Sequence, residues 1–141
     1  MATIKELEVE FARNPSLANS VVLAEAYLSA KRFMEAMVVC KKGSKSAPND
    51  PLGHLTLARV NVAQGKLPKA EQELRESLVT TPTHPPTLEL LGQVIVDLGK
   101  GKEAVPFLQQ ALQGDPTLTK PRELLEKLGA PLTLVITPAP Q

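Results

Sequence analysis

Residues of matching type recur every 34 positions through most of this 141-residue chain. The recurring sets are prolines, alanines and leucines, namely Pro48, Pro82 and Pro116; Ala36, Ala70 and Ala104; and Leu23, Leu57 and Leu91. A small residue follows each leucine, namely Ala24, Ala58 and Gly92. Because several unrelated residue types agree on one spacing, the period predicts a stack of similar structural units.

Each unit contains two amphipathic segments separated by a helix-breaking residue. In the middle unit, Gly65 occupies a position typical of a helix C-terminus, and Pro68 opens the following segment. That segment places apolar residues on one helical face, namely Leu67, Ala70, Leu74 and Leu78. Pro82 then ends it, because the residue before a proline avoids helical geometry. The pattern therefore predicts a helix–turn–helix unit.

Small residues in both segments predict where the two helices of a unit touch. Antiparallel helices approach closely only where side chains are small, as Ala24 and Ala36 and their counterparts in the other units are. A single hairpin leaves an apolar face uncovered, so neighbouring units must stack to bury it. We therefore predict an all-α fold, a right-handed superhelical α-solenoid of stacked helix–turn–helix hairpins.

The 34-residue unit, its leucine–small-residue pairs, its alanine column and its closing prolines resemble the tetratricopeptide repeat (TPR) family. The resemblance covers three full repeats, at 17–50, 51–84 and 85–118. What it implies is a solenoid whose surfaces bind protein segments, and no catalytic chemistry of its own.

Several residues of the first two repeats depart from the family pattern. Ser20 and His54 stand where the family usually has a large apolar residue. Asn61 replaces an aromatic side chain that the first repeat keeps as Tyr27. Gly43 is unusual inside a helix, where it costs about 1 kcal/mol relative to alanine. These departures concern local packing and leave the fold prediction unchanged.

The segments that flank the repeats are expected to cap the solenoid. Residues 3–14 form a half-repeat in this interpretation, since Ile4, Leu7 and Phe11 share one helical face. Residues 119–129 form a charged C-terminal capping helix, which supplies the polar outer face that a terminal repeat needs.

Residues 130–141 form a Pro-rich tail that alternates more like an extended strand than like a helix. One interpretation makes this tail a linker to a further domain. The other has it add to a neighbouring molecule, with self-association through its apolar residues, which are Leu132, Leu134, Val135 and Ile136.

Composition and charge disfavour nucleic acid and membrane partners. The chain has 16 basic and 15 acidic residues, a net charge of +1 and only 3% aromatic residues, with no tryptophan. It therefore lacks the strong positive field and the stacking side chains that nucleic-acid binding uses. The single Cys40 has no disulfide partner, and neither a signal sequence nor a run of eighteen apolar residues is present. We predict a cytoplasmic location and no insertion into membranes.

The sequence offers no recognisable catalytic or metal-binding motif. His54 and His84 occupy non-equivalent repeat positions, and neither has a carboxylate or thiol at metal-ligand spacing. His54 is expected to be a packed core side chain and His84 to cap a helix. Cys40 shares a core column with Leu74 and Leu108, which predicts a buried, structural thiol. We therefore predict a protein that is not an enzyme and that needs no cofactor or metal.

The resemblance implies that the first helix of each repeat lines a concave surface. The concave surface comprises nine positions, which are Val21, Glu25 and Leu28; Leu55, Arg59 and Val62; and Glu89, Gln93 and Val96. Five of the nine are apolar, and an exposed apolar stripe of this kind is typical of a binding groove. We expect it to bind an extended peptide or an amphipathic helix, with Arg59 anchoring a carboxylate and Gln93 reaching backbone. In the alternative, the chain's own tail fills the groove, or Val62 and Val96 pack between adjacent hairpins.

One TPR subclass grips C-terminal carboxylates with a basic clamp, and this chain lacks that clamp. The matching positions carry Val21, Glu25, Thr56, Pro86 and Leu90, and Glu25 would repel a carboxylate. The sequence therefore favours a non-catalytic protein–protein interaction module, as the N-terminal part of a larger scaffold or adaptor in a protein complex. The alternative is a structural self-assembly module that oligomerises through its terminal helices or through 130–141.

Overall fold

The computed structural model describes residues 2–133, which form eight helices and no strand. In chain order the helices are α1 Ile4–Arg13, α2 Leu17–Ser29, α3 Phe33–Ser44, α4 Pro51–Ala63, α5 Leu67–Thr80, α6 Pro85–Asp97, α7 Gly101–Gly114 and α8 Thr119–Leu128. The prediction of an all-α fold is confirmed.

Local sequence signals set the helix starts. Thr3, Ser16 and Asp50 each accept a hydrogen bond from a backbone N–H of the helix that follows, which satisfies one of the free donors there. Pro51 and Pro85 stand at the first position of α4 and α6, where a missing N–H costs nothing.

The helices form three antiparallel hairpins, α2–α3, α4–α5 and α6–α7, flanked by α1 and α8. The first helices of successive hairpins touch one another, since α2 contacts α4, α4 contacts α6, and α6 contacts α8. Over the described residues, the backbones of the second helices α3, α5 and α7 stay apart, although the Arg75 guanidinium of α5 lies 5.2 Å from the centre of the Phe107 ring of α7. An inner layer that packs tightly and an outer layer that splays must curve the stack, so α2, α4 and α6 line its concave side.

Each hairpin is held at a contact between small residues. Ala24, Ala36, Ala58 and Ala70 are fully buried. In the third hairpin, a Cβ atom added at Gly92 would overlap the side chain of Leu108. The close approach that the small-residue columns predict is therefore present, and a larger side chain there would force the helices apart.

The unusual Gly43 is explained by the equally unusual Ser20. A Cβ atom on Gly43 would overlap both the Cβ and the Oγ of Ser20, so α2 and α3 are closer at this level than an alanine would allow. The Ser20 hydroxyl donates to the backbone oxygen of Leu17 at 2.6 Å, which satisfies it inside the core. Each of the two residues is smaller than its counterparts in the other repeats, which are His54 and Leu88 for Ser20 and Ser77 and Ala111 for Gly43, so together they let α2 approach α3 closely.

The turn inside each hairpin uses one left-handed residue at equivalent positions. Gly65 and Gly99 have φ of 74° and 82°, and Lys31 takes the same role in the first hairpin with φ of 60°. In each case the next N–H bonds back to the helix, as Arg32 does to the Tyr27 oxygen at 2.8 Å. Lys31 therefore holds a conformation that favours glycine.

Polar contacts hold the half-repeat α1 on the first hairpin. The Tyr27 hydroxyl donates to Glu8 Oε2 at 2.6 Å, while the Arg32 guanidinium lies 4.8 Å from the centre of the Tyr27 ring. Burial, with the bond to Glu8, raises the pKa of Tyr27 to about 12. Phe11 adds the apolar contact, because it packs in the same core cluster as Tyr27.

The beginning of the tail folds back on the C-terminal core. Gln109 Nε2 donates to the backbone oxygen of Pro131 at 2.9 Å, and Leu132 packs against the apolar cluster that contains Leu124 and Leu125. Leu132 is half-buried by these contacts within its own chain, so it offers little free surface, and its part in self-association stays a prediction. Leu134, Val135 and Ile136 lie outside the described residues.

We expect Lys31→Gly to raise the free energy of unfolding by about 0.5–1 kcal/mol, since glycine removes the left-handed strain. Gly65→Ala introduces that strain and should lower the free energy of unfolding by about 1 kcal/mol. Urea denaturation followed by circular dichroism measures both. Lys31→Ala is the control, since it removes the charge but keeps the strain, and an equal gain in that variant would contradict the explanation.

Gly43→Ala tests the contact with Ser20. Helix propensity alone would stabilise this variant by about 1 kcal/mol. Overlap with Ser20 should outweigh that gain, at about 1–3 kcal/mol, and give a net loss of stability. Adding Ser20→Gly relieves the overlap, so the double variant should be more stable than the sum of its single changes in the same denaturation experiment. Strict additivity would show that the two residues do not interact.

Candidate partner-binding surface

The nine predicted residues of the concave surface lie on α2, α4 and α6, as expected, but Leu55 is not exposed there. Leu55 retains only 2% of its accessible area and belongs to the main core cluster. The reason is that α4 is the central inner helix, covered by α2 on one side and α6 on the other. Its inclusion among the groove residues is corrected, because no partner can reach it without unfolding the repeat.

The other apolar members of the concave surface are only partly accessible. Leu28, Val62 and Val96 are half-buried and pack against the core clusters, and Val21 is also half-buried. Packing between adjacent hairpins, which the sequence left open for Val62 and Val96, accounts for this. The expectation of a fully exposed apolar stripe is therefore corrected to a shallow, half-buried one.

The charged members of the concave surface pair with each other across two repeats. Arg59 Nη1 donates to Glu25 Oε1 at 3.4 Å, between α4 and α2, and both side chains are exposed. Arg59 is thus already engaged by a carboxylate of its own chain, which weakens its expected role as an anchor for a partner's carboxylate. An exposed pair of this kind contributes little to stability, about 0–1 kcal/mol, so a partner can compete for either side chain.

Glu89 carries the most perturbed carboxylate of the concave surface. Its pKa is raised mainly by burial, which disfavours the charged form, and Asp115 raises it further. Arg59 and Lys120 act in the opposite direction without abolishing the shift. Over the described residues Glu89 forms no salt bridge, so its negative charge is the least compensated in this region.

The sequence analysis missed Val22, which remains 49% exposed on α2. Val22 lies one turn before Glu25, so the two share one exposed face of the helix. The available signal was helical spacing, since residues three apart stand next to each other on a helix surface. Val22 is thus the most exposed large apolar side chain of α2, while Val21 and Leu28 are half-buried.

The other residues singled out for chemistry have structural contacts. Cys40 is buried, and burial raises the pKa of its thiol to about 12, which suppresses the reactive thiolate. His84 precedes α6, and its Nδ1 lies 2.8 Å from the Thr87 hydroxyl near the start of that helix.

His54 differs from its expected role as a packed core residue. It is half-buried, and its Nδ1 lies 2.9 Å from Glu73 Oε2 on α5. No carboxylate lies at metal-ligand spacing from His54 in the sequence, but Glu73 reaches it in the folded hairpin. Sequence spacing could not reveal this pair, because its members are 19 residues apart on two helices and meet only through the hairpin.

None of the helices described over residues 2–133 is both long enough and apolar enough to cross a membrane.

Solved structures share this fold, although no protein-family model and no curated protein matches the sequence. The chain is similar to the TPR protein TTC0263 of Thermus thermophilus, with 24% identity and a TM-score of 0.78 over 89% of this chain and 71% of that one. The first TPR domain of human RPAP3 gives 19% identity and a TM-score of 0.75, over 82% and 92% of the two chains. The first TPR of Spaghetti (RPAP3), bound to the HSP90 peptide SRMEEVD, gives 17% identity and a TM-score of 0.70, over 82% and 94%.

These similarities, together with the three stacked hairpins, establish a TPR-like repeat protein with an α-solenoid fold.

We expect Leu55→Ala to lower the free energy of unfolding by about 2–5 kcal/mol, because it opens a cavity in the main core. Val22→Ala should change it by less than about 0.5 kcal/mol, since Val22 is half exposed. Urea denaturation of both variants measures the contrast. A small effect of Leu55→Ala would return Leu55 to the accessible concave surface.

Proposed function

We propose that this chain is a non-catalytic interaction module that binds a segment of a protein partner on its concave surface. The observations that carry the proposal are the exposed Val22 beside Glu25 on α2 and the carboxylate of Glu89 on α6, which forms no salt bridge among the described residues. A partner that covers Val22 would remove its apolar surface from water, and a positive charge on that partner would complement the carboxylates of Glu25 and Glu89.

The charges of the concave surface favour a basic partner. Two carboxylates and one guanidinium among the nine positions give an excess of negative charge. Spaghetti (RPAP3) was solved with SRMEEVD, a peptide that contains three carboxylate side chains. Such a peptide would meet Glu25 and Glu89 in this chain, and the positions that match the carboxylate clamp carry no lysine or arginine. We therefore propose an amphipathic helix or extended segment that combines apolar residues with lysine or arginine.

The affinity of such a complex would come from a small apolar area and a few charge-assisted contacts. Burial of apolar surface contributes about 25 cal/mol per Å² before the cost of ordering the partner. The half-buried positions of Leu28, Val62 and Val96 limit that area, so we expect a moderate affinity that depends on Glu25 and Glu89. The proposal includes a role for this module as a scaffold or adaptor in a larger cytoplasmic complex.

The test is selection of peptides from a displayed random library on the purified chain. We expect the enriched peptides to combine apolar residues with lysine or arginine and to lose about tenfold or more in affinity when Glu89 is changed to lysine. Val22→Asp should also weaken binding, as measured by isothermal titration calorimetry. Val79→Asp is the matched control, because Val79 is 84% exposed on the outer helix α5.

The pattern of variants decides the outcome. Binding that resists Glu89→Lys and Val22→Asp but falls with Val79→Asp would move the site to the outer layer. Enrichment of acidic peptides by the unchanged chain would overturn the proposed partner chemistry. Circular dichroism of each variant verifies that the helices remain folded.

A further inference from the structure

A cluster of three metal-ligating side chains lies on the second hairpin, away from the concave surface. His54 of α4 and Glu73 and Glu76 of α5 each offer a ligand atom, and these atoms all lie within 4.8 Å of one another. We propose that these residues bind a divalent transition-metal ion, with Zn²⁺ the best match, and that the ion links α4 to α5. The proposal is independent of partner binding.

The geometry requires only a small closure. Zinc bonds to histidine nitrogen and carboxylate oxygen at about 2.0–2.2 Å, so two ligands of a tetrahedral ion stand about 3.4 Å apart. His54 Nδ1 and Glu73 Oε2 are 2.9 Å apart already. Glu76 has to approach by at most about 1.4 Å, and its exposed side chain can do so by a rotamer change. Three protein ligands leave the fourth position to water.

The two carboxylates of the cluster, Glu73 and Glu76, are not engaged by a lysine or arginine side chain among the described residues, and the one ionisable partner of Glu73 is His54 itself. Lys41 and Lys69 line the clefts beside Glu73, and neither pairs with Glu73 or Glu76. Gln72 Nε2 donates to Glu76 Oε1 at 3.2 Å, which orients Glu76 while leaving its second oxygen free.

The other two repeats show that the fold does not require these side chains. The positions equivalent to His54, Glu73 and Glu76 are occupied by Ser20, Val39 and Lys42 in the first repeat and by Leu88, Phe107 and Gln110 in the third. Leu88 is buried, so an ordinary apolar residue serves the packing of the third hairpin at this place. Only the middle repeat has three metal-ligating side chains there.

A buried hydroxyl near the cluster is consistent with a water ligand. Ser77 occupies the position equivalent to Gly43, which lies directly against Ser20 in the first hairpin, and Ser20 is the equivalent of His54. By this register Ser77 faces His54. Its Oγ is buried and has no hydrogen-bond partner among the described residues. A metal-bound water at the open coordination position would supply one.

Zinc titration of the tag-free chain tests the proposal. We expect isothermal titration calorimetry to show one saturable site per chain, and saturating ZnCl₂ to raise the melting temperature by about 3 °C or more. Glu76→Gln should weaken binding by about tenfold or more, since even the loss of an outer-shell partner costs that much. This variant keeps the His54–Glu73 contact, so its fold without metal is expected to be unchanged.

Two further variants separate a specific site from general affinity for zinc. His54→Leu imitates the leucine of the third repeat and should abolish binding while leaving a stable hairpin. Glu123→Gln on the exposed face of α8 is the matched control and should bind as the unchanged chain does. Zinc binding that is equal in Glu76→Gln, His54→Leu and Glu123→Gln would overturn the proposal, as would absence of binding in the unchanged chain at millimolar ZnCl₂.

Cobalt provides a readout of the ligands. Tetrahedral Co²⁺ gives visible absorption bands that an ion bound loosely to carboxylates in octahedral geometry does not show with comparable strength. We expect these bands to appear at one equivalent of Co²⁺ in the unchanged chain, to vanish in His54→Leu and to be displaced by Zn²⁺. Bands that persist in His54→Leu would show that another site holds the ion.

Discussion

The close approach of two helices at a line of small side chains is the contact on which the rest of this structure depends. Alanine or glycine at each crossing lets α2, α4 and α6 lie against their partners α3, α5 and α7, and the leucines then fill the space on either side. The first hairpin has a further close contact between Ser20 and Gly43, whose counterparts in the third repeat, Leu88 and Ala111, are both larger, so the size of this pair varies between repeats.

Curvature follows from how the hairpins stack. The inner helices pack against one another while the backbones of the described outer helices stay apart, so the inner side of the stack is compressed. The same compression covers the apolar residues of the concave surface, burying Leu55 completely and Val62 and Val96 in part. The packing that stabilises the stack therefore reduces the apolar area that a partner can reach on this surface. What remains accessible is mostly polar, and this is why its charges, more than its apolar area, define the partner that we propose.

The middle repeat differs from its neighbours in how it fills core positions. Asn61 and Ser77 are buried there with polar atoms that have no partner among the described residues, and His54 meets Glu73 across the hairpin. Burying polar groups in this way costs stability relative to the leucine and isoleucine of the third repeat, and such a cost is tolerated most readily where the groups have a use. The polar character of this repeat and the metal-ligating cluster are two aspects of one set of substitutions.

The 34-residue period determined the fold class, the hairpins and the buried thiol, because helix spacing, turn residues and size columns are local properties of the chain. Gly65 and Gly99 predicted the turns inside the second and third hairpins for the same reason. The accessibility of Leu55, the pairing of Arg59 with Glu25 and the meeting of His54 with Glu73 were decided only by the tertiary structure. Each depends on how closely two helices that are separated in sequence approach in space. The repeat register predicts which way a side chain points, but it does not predict which residues of another helix that side chain contacts.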